Sequence, residues 1–293
     1  LAAGVAISKK CACKLVYDSH ELEMHRNAKY TKANQRKRRK IERAGITRAD
    51  AVITVSDSIA DHLRDDYRIR RPYVIMNAPD FDEHEHSIRT VRDDLRLSSD
   101  TPLAVYVGSV TINRGLEYVV KALKLYPELH FATVGPRRPA TQGELYDLAV
   151  ELQVLDRLHF VDPVPPKAVV GYIATCDVSV LPIQNVCLSY YYCMPNKLLE
   201  SVFANIPVAV ADLLEMRRFV EAFRCGLVMD EKSPDSIANA IKSIVKDRAG
   251  FMVPIDLRQQ INDTYTWKVQ VGKLLSLYEG LFAAKEIRSE ETS

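Results

Sequence analysis

Short apolar runs alternate with segments of helical period along nearly the whole chain. Residues 13–19 (CKLVYDS) predict a short buried strand, and a basic helix follows. Residues 50–58 (DAVITVSDS) predict a strand and turn, with Ser56 or Asp57 placed to cap the helix IADHLRDDY. PYVIMNAPD predicts a strand that ends in a proline turn. Residues 80–98 are polar, show no clear period and read as a linker.

The alternation then restarts. LAVYVGSV predicts a strand, and RGLEYVVKALKLY a helix with Leu116, Val119, Val120 and Leu123 at helical spacing. LHFATVG, LHFVD, DVSVLPI and IPVAVAD read as further strands, and GLVMD as a short extended piece. Between them ELYDLAVELQVL, PKAVVGYIATC, NKLLESVFAN and SPDSIANAIKSIVKD read as helices, the last capped by Ser233. Strands alternating with helices of this length imply parallel sheets covered on both faces. The expected class is α/β, with two such units and a cleft at the carboxyl ends of the strands.

Composition narrows this little. A chain of 293 residues accommodates two domains, and a hydrophobic fraction of 47% fits a globular protein. Lys+Arg exceed Asp+Glu by only 40 to 38, so net charge selects no acidic partner. Cys11, Cys13, Cys176, Cys187, Cys193 and Cys225 are scattered, several inside apolar runs, which suits buried thiols in a reducing compartment. No apolar run approaches the roughly 18 residues of a membrane span. The chain begins at Leu1, and LAAGVAISKK reads as the tail of a helix, so an upstream segment is expected.

Candidate chemistry follows the strands. In GSVTINRG, Gly108 lets backbone approach a ligand closely after a buried strand, and Arg114 could fork onto a phosphate. The same residues also suit a tight turn with a surface arginine. In MPNKLLE, Lys197 stands in the first turn of a helix, where a cation is unfavourable unless an anion binds. Glu200 lies one turn on and could accept two hydrogen bonds from a ribose diol. The bland alternative is a surface Lys–Glu pair. Polar residues at strand ends of such folds favour a site. His20 follows the first strand amid Asp18, Glu21 and Glu23, where it could donate to a phosphate or sugar hydroxyl or simply belong to a helix start.

Residues 28–43 hold eight Lys/Arg, among them Arg36, Lys37, Arg38, Arg39 and Lys40, and one acid, Glu42. Such a helix could contact anionic lipid peripherally or present a solvated face, and composition does not separate the two. Nucleic acid is a weaker alternative and is not an expected partner. Zinc-type Cys/His spacing and a Gly-X-Gly-X-X-Gly fingerprint are absent from the sequence.

The ordered set YDSHELE, ADAVITVSDSIAD, VIMNAPD, YVGSVTINRGLE, VGPRR, CDVSVLPI, MPNKLLESVFANIPVAV, LLEMRRFVEAFRCGLVMD and YTWKVQ resembles family four retaining glycosyltransferases of GT-B fold, closest to bacterial members that build surface polysaccharides. The resemblance implies two Rossmann-like domains with parallel sheets, the first incomplete. Residues 1–80 would be the C-terminal part of the acceptor domain, 81–98 a linker, and 99–262 the donor-binding domain. Residues 263–293 would form a closing helix that crosses back to the first domain. It also implies a nucleoside diphosphate sugar donor, a glycan or lipid-linked acceptor, no cofactor and no metal. The scattered cysteines suggest the cytoplasm, and the basic helix a position at the inner face of the membrane.

By the same resemblance His20, Arg114 and Lys197 are catalytic. Gly108, Gly135, Tyr192, Pro195, Asn196, Leu198 and Glu200 bind donor, with Gly135 near the base and Glu200 at the ribose. Tyr192 stands where the family has the first glutamate of its Glu, seven residues, Glu motif. A sugar-nucleotide 2-epimerase of the same fold and a non-catalytic nucleotide-sugar-binding remnant are the alternatives.

Overall fold

The structure, a computed structural model, describes residues 1–26, 30–80 and 89–290. Ala28 and Lys29 of the basic run and residues 81–88 of the expected linker lie outside these. The chain divides into two units. One comprises residues 1–77, 187–194 and 267–293, and the other residues 78–186 and 195–266.

The first unit holds a three-stranded parallel sheet of β1 (Val16–Ser19), β2 (Ala51–Thr54) and β3 (Tyr73–Val74), in that order. Its helices are α1 (Ala2–Cys11), α2 (Lys32–Ile46), α3 (Asp57–Tyr67), α8 (Leu188–Tyr191) and α13 (Trp267–Glu290). Side chains alternate across the strands. Val52 joins Leu22, Ile46, Ile59, Leu63 and Tyr67 in a core on one face, while Ala51 and Ile53 pack with Ile75 and Leu277 of α13 on the other. Ser56 accepts the Ile59 N–H and so caps α3, an interaction worth about 1 kcal/mol. Gln270 is fully buried, and its side-chain oxygen accepts the Met76 N–H, tying α13 to the chain beyond β3.

The second unit holds a six-stranded parallel sheet in the order β6-β5-β4-β7-β8-β9. The strands are β4 (Leu103–Val107), β5 (His130–Val134), β6 (Leu158–Val161), β7 (Val178–Leu181), β8 (Val208–Ala211) and β9 (Gly226–Met229). The helices α5 (Leu116–Ala122), α6 (Pro139–Glu151) and α11 (Pro234–Lys246) cover one face, and Ser233 caps α11. The other face packs α4 (Val91–Leu95), α7 (Val169–Ile173) and the end of α9 (Asn196–Phe203). The helices α10 (Leu214–Phe223) and α12 (Ile255–Tyr265) complete the unit. Strand order reverses between β4 and β7, and such a switch point opens a crevice at the carboxyl ends of the two strands.

Within the segment expected as a linker, residues 91–95 form α4. Thr90 and Asp93 make a reciprocal capping box. Arg92 is buried, donates to the carbonyls of Ser98, Thr101 and Thr175, and pairs with Asp177 at 2.6 Å. Charge in this stretch therefore anchors chain to the sheet. No disulfide joins any of the six cysteines, all of which lie among the described residues. Cys176 and Cys225 are buried with thiols pushed up to about 12 by burial, whereas Cys11 and Cys13 are exposed. Among the described residues no helix is long and apolar enough to cross a membrane.

Candidate active site

Gly108 closes β4 at φ +125°, a conformation that favours glycine. A Cβ at this position would meet Lys197 Nζ at 2.9 Å and Tyr106 Oη at 3.7 Å. Gly135 stands at the same level after β5, at φ +146°, and a Cβ there would lie 2.5 Å from the Gly108 carbonyl oxygen. The two glycines thus press backbone against backbone at the strand ends, beside the ammonium of Lys197.

Lys197 lies in the first turn of α9, whose N-cap position is held by Pro195. Its Nζ donates to Tyr106 Oη at 2.9 Å and sits 4.3 Å from the centroid of that ring. The surface Lys–Glu pair does not form: no ion pair within 4.0 Å joins Lys197 and Glu200 among the described residues. Instead burial pushes the Glu200 carboxyl above its ordinary range, and the nearby Lys197 charge opposes that shift. The hydroxyls of Ser201 and Ser179 lie 2.7 Å apart, with Ser201 Oγ 2.6 Å from the Lys197 carbonyl, which pins α9 to β7. Asn196 is exposed at the start of the helix. Leu198 is fully buried, and its N–H donates to the Pro195 carbonyl at 3.0 Å. Its side chain serves the core.

Arg114 is half-buried in the loop between β4 and α5. That loop is clamped to the segment after β7. Gln184 donates its backbone N–H to the Asn113 carbonyl at 3.2 Å, and its side-chain amide to Glu117 at 3.1 Å. The second unit therefore brings Gly108, Gly135, Lys197 and the Arg114 loop to the carboxyl end of one sheet.

His20 and Tyr192 belong to the first unit. His20 is exposed after β1, with Nε2 3.1 Å from Asp18 Oδ2 and Nδ1 3.5 Å from Asn77 Nδ2. In the tautomer protonated on Nε2 the ring donates to Asp18 and accepts from Asn77, which fixes its plane. Arg26 neutralises Glu21 and Glu23, and Arg38 also pairs with Glu23. A cavity of about 490 Å³ there is lined by Asp18, Ser19, His20, Glu21, Glu23 and Arg38, among others. Tyr192 packs beside His62 and Tyr191 against the first unit's core, and its carbonyl accepts from Ser56 Oγ at 2.8 Å.

The basic run separates into two sets. Arg38 pairs with Glu23 and lies over the Tyr30 ring, and Arg39 pairs with Asp66. Arg36, Lys37 and Lys40 are exposed and enter none of the ion pairs among the described residues. Glu42 faces inward, accepting from the Tyr17 and Tyr67 hydroxyls at 3.0 and 2.6 Å.

Sequence reasoning missed Tyr106 and Gln184. Tyr106 had a signal: it stands two residues before Gly108 in an otherwise aliphatic strand, so both point to one face. Gln184 had none, because its partners are a carbonyl of a distant loop and an acid of α5.

Residues 1–83 match Glycosyltransferase Family 4, and residues 87–265 match Glycosyl transferases group 1. A D-inositol 3-phosphate glycosyltransferase of Corynebacterium urealyticum is 22% identical over 284 residues, covering 91% of this chain and 66% of that protein. An uncharacterized glycosyltransferase of Methanocaldococcus jannaschii is 22% identical over 287 residues, covering 94% and 72%. Among solved structures, sucrose-phosphate synthase from Thermosynechococcus elongatus is similar with a TM-score of 0.77 at 22% identity, over 96% of this chain and 71% of that one. Anabaena HepE in complex with UDP gives 0.73 at 17% identity, over 96% and 76%. At such identities the solved structures establish the fold, α/β with parallel sheets as in GT-B enzymes. The chain spans about two thirds of the length of the Corynebacterium relative. On the match over residues 87–265, the chain belongs to the family Glycosyl transferases group 1.

Proposed function

We propose that the chain moves a hexose from a nucleoside diphosphate donor to a glycan or lipid-linked acceptor with retention at the anomeric carbon. The observation that carries this is the Lys197 ammonium standing over Gly108 at the end of β4. A cation beside side-chain-free backbone, at a sheet's switch point, suits a diphosphate. Similar structures support this reading: Anabaena HepE is known in complex with UDP and with UDP-glucose, and WaaG is a glycosyltransferase involved in lipopolysaccharide biosynthesis.

In this proposal the bond from the sugar to the diphosphate breaks as the bond to the acceptor oxygen forms, and the acceptor proton leaves with the diphosphate. Arg114 and Lys197 stabilise the charge that develops on the leaving group, in a preorganised site rather than in water. Glu200 holds the ribose, Gly108 and Gly135 admit the diphosphate and base, and Pro195, Asn196 and Leu198 shape the start of α9. His20, oriented by Asp18, is the catalytic residue that the first unit supplies. The carboxylates and guanidiniums of the first unit's cavity suit a hydroxyl-rich acceptor. The exposed Arg36, Lys37 and Lys40 hold the protein at an anionic membrane face.

The test is a transfer assay with UDP-, GDP- and ADP-hexoses against glycan and lipid-linked acceptors, read by proton NMR of the new linkage at early times. An axial donor should give an axial product. An equatorial product overturns retention, and donor epimerised without any acceptor identifies the epimerase instead.

A further inference from the structure

We propose that Tyr106 is a positioning residue for Lys197, holding the ammonium over Gly108 where a donor diphosphate would lie. The inference rests on the diphosphate role given above to Lys197.

Tyr106 is fully buried in β4, and strand alternation sends its side chain to the face that Gly108 leaves bare. Its hydroxyl has one hydrogen, which is directed at the Ser109 carbonyl at 3.3 Å. The lone pairs that remain accept from Lys197 Nζ at 2.9 Å. The ammonium also lies 4.3 Å from the ring centroid, within range of the negative aromatic face. Ser109 belongs to the loop that carries Arg114, so one phenol links the lysine to that loop.

The physical need for such a holder is specific. Lys197 sits in the first turn of α9, where the helix dipole disfavours a cation. A lysine stem has several rotatable bonds, and fixing it costs rotamer entropy. Left alone, the ammonium would swing toward water. The hydroxyl and the ring offset both terms, and one hydrogen bond to Tyr106 leaves two N–H donors for phosphate oxygens. A residue that only filled the core would do so equally well without the hydroxyl.

The experiment is a double-mutant cycle on the full chain with Tyr106→Phe, Lys197→Met and the pair, read by calorimetry with UDP, GDP and ADP, each against its nucleoside. Tyr106→Phe keeps the ring and removes the oxygen. For the diphosphate that binds, it should weaken affinity about ten- to a hundredfold, the scale of one lost hydrogen bond to a charged group, with nucleoside affinity unchanged. In the Lys197→Met background it should have no further effect on the diphosphate. Equal losses for diphosphate and nucleoside make Tyr106 a packing residue and overturn the proposal. A loss with Lys197→Met but none with Tyr106→Phe also overturns it while sparing the role of Lys197. Unchanged diphosphate binding in Lys197→Met, or no binding of any nucleotide by wild type, overturns the donor-site assignment and this inference with it.

Discussion

His130 Nδ1 and His159 Nε2 lie 2.9 Å apart, at the heads of two neighbouring strands, with their rings stacked at 6°. One imidazole donates and the other accepts, so the bond lasts only while at least one ring stays neutral. Burial lowers both groups, and His159 is held down to about 4 by burial and by His130. Arg157 and Arg92 add to the depression at His130, while Asp156 opposes it at both rings. A histidine whose folded value lies below its unfolded value near 6.5 lends stability above pH 6.5, and that stability is lost as pH falls toward 4. The melting temperature should therefore drop more steeply between pH 6.5 and 4.5 in wild type than in His159→Gln. Parallel curves would assign the acid sensitivity elsewhere.

Glu42 shows the other use of a buried polar group. Two tyrosine hydroxyls donate to it, and burial together with the Glu42 charge pushes Tyr17 up to about 12, so that hydroxyl stays a donor. Glu42→Ala strands both hydroxyls and should destabilise the first unit by about 2 kcal/mol, within the range for unsatisfied buried groups. Urea unfolding measures it. Glu42→Leu with Tyr17→Phe and Tyr67→Phe should recover part of the loss, because the unpaired hydroxyls go too. No recovery would mean that packing, not polarity, set the cost.

The strands were legible because parallel strands buried on both faces are continuous apolar runs, and LAVYV and VAVA are just that. What escaped was short or polar. The four residues of α8 and five of α4 are too few to show a period. The caps at Ser56 and Ser233 were readable, since capping is local. The partners of Lys197 and of Arg39 were not, because Tyr106 and Asp66 lie 91 and 27 residues away. Counting charges in residues 28–43 could not reveal that Arg38 and Arg39 are spent on acids of the same unit, nor that Glu42 faces inward.

Glu200 combines burial with a charge-dependent task. Burial raises its carboxyl, so ionising it in the folded protein costs stability, which is highest below the unfolded value and falls as pH rises through the folded one. Glu200→Gln should accordingly raise the melting temperature at neutral pH. A ribose diol donates to the ionised form, so wild-type nucleotide affinity should weaken as pH falls through the raised value, and the Gln variant should be weaker and flat with pH. Calorimetry across pH 4.5 to 7.5 measures both. A Gln variant that binds as tightly as wild type at every pH would remove Glu200 from the ribose.

The basic helix gives a prediction in which structure overrules composition. Anionic lipid attracts each nearby Lys or Arg by about 1 kcal/mol, within a Debye length of about 8 Å at physiological salt. Only charges directed at solvent contribute fully. Arg36, Lys37 and Lys40 are exposed, whereas Arg38 and Arg39 are occupied by Glu23 and Asp66. Replacing Arg36, Lys37 and Lys40 together by Gln should remove about 3 kcal/mol, roughly a hundredfold in partition onto phosphatidylglycerol vesicles. The Arg38→Gln, Arg39→Gln pair should leave more of the binding in place. It should instead loosen α2 from the acids that hold it, by the modest amount expected of exposed ion pairs, about 0–1 kcal/mol each. Neutral vesicles should bind neither form, and raising the salt should release wild type. If the two variants sediment alike with anionic vesicles, the ion pairs do not shield Arg38 and Arg39. If both sediment like wild type, the helix is a solvated face and the membrane contact fails.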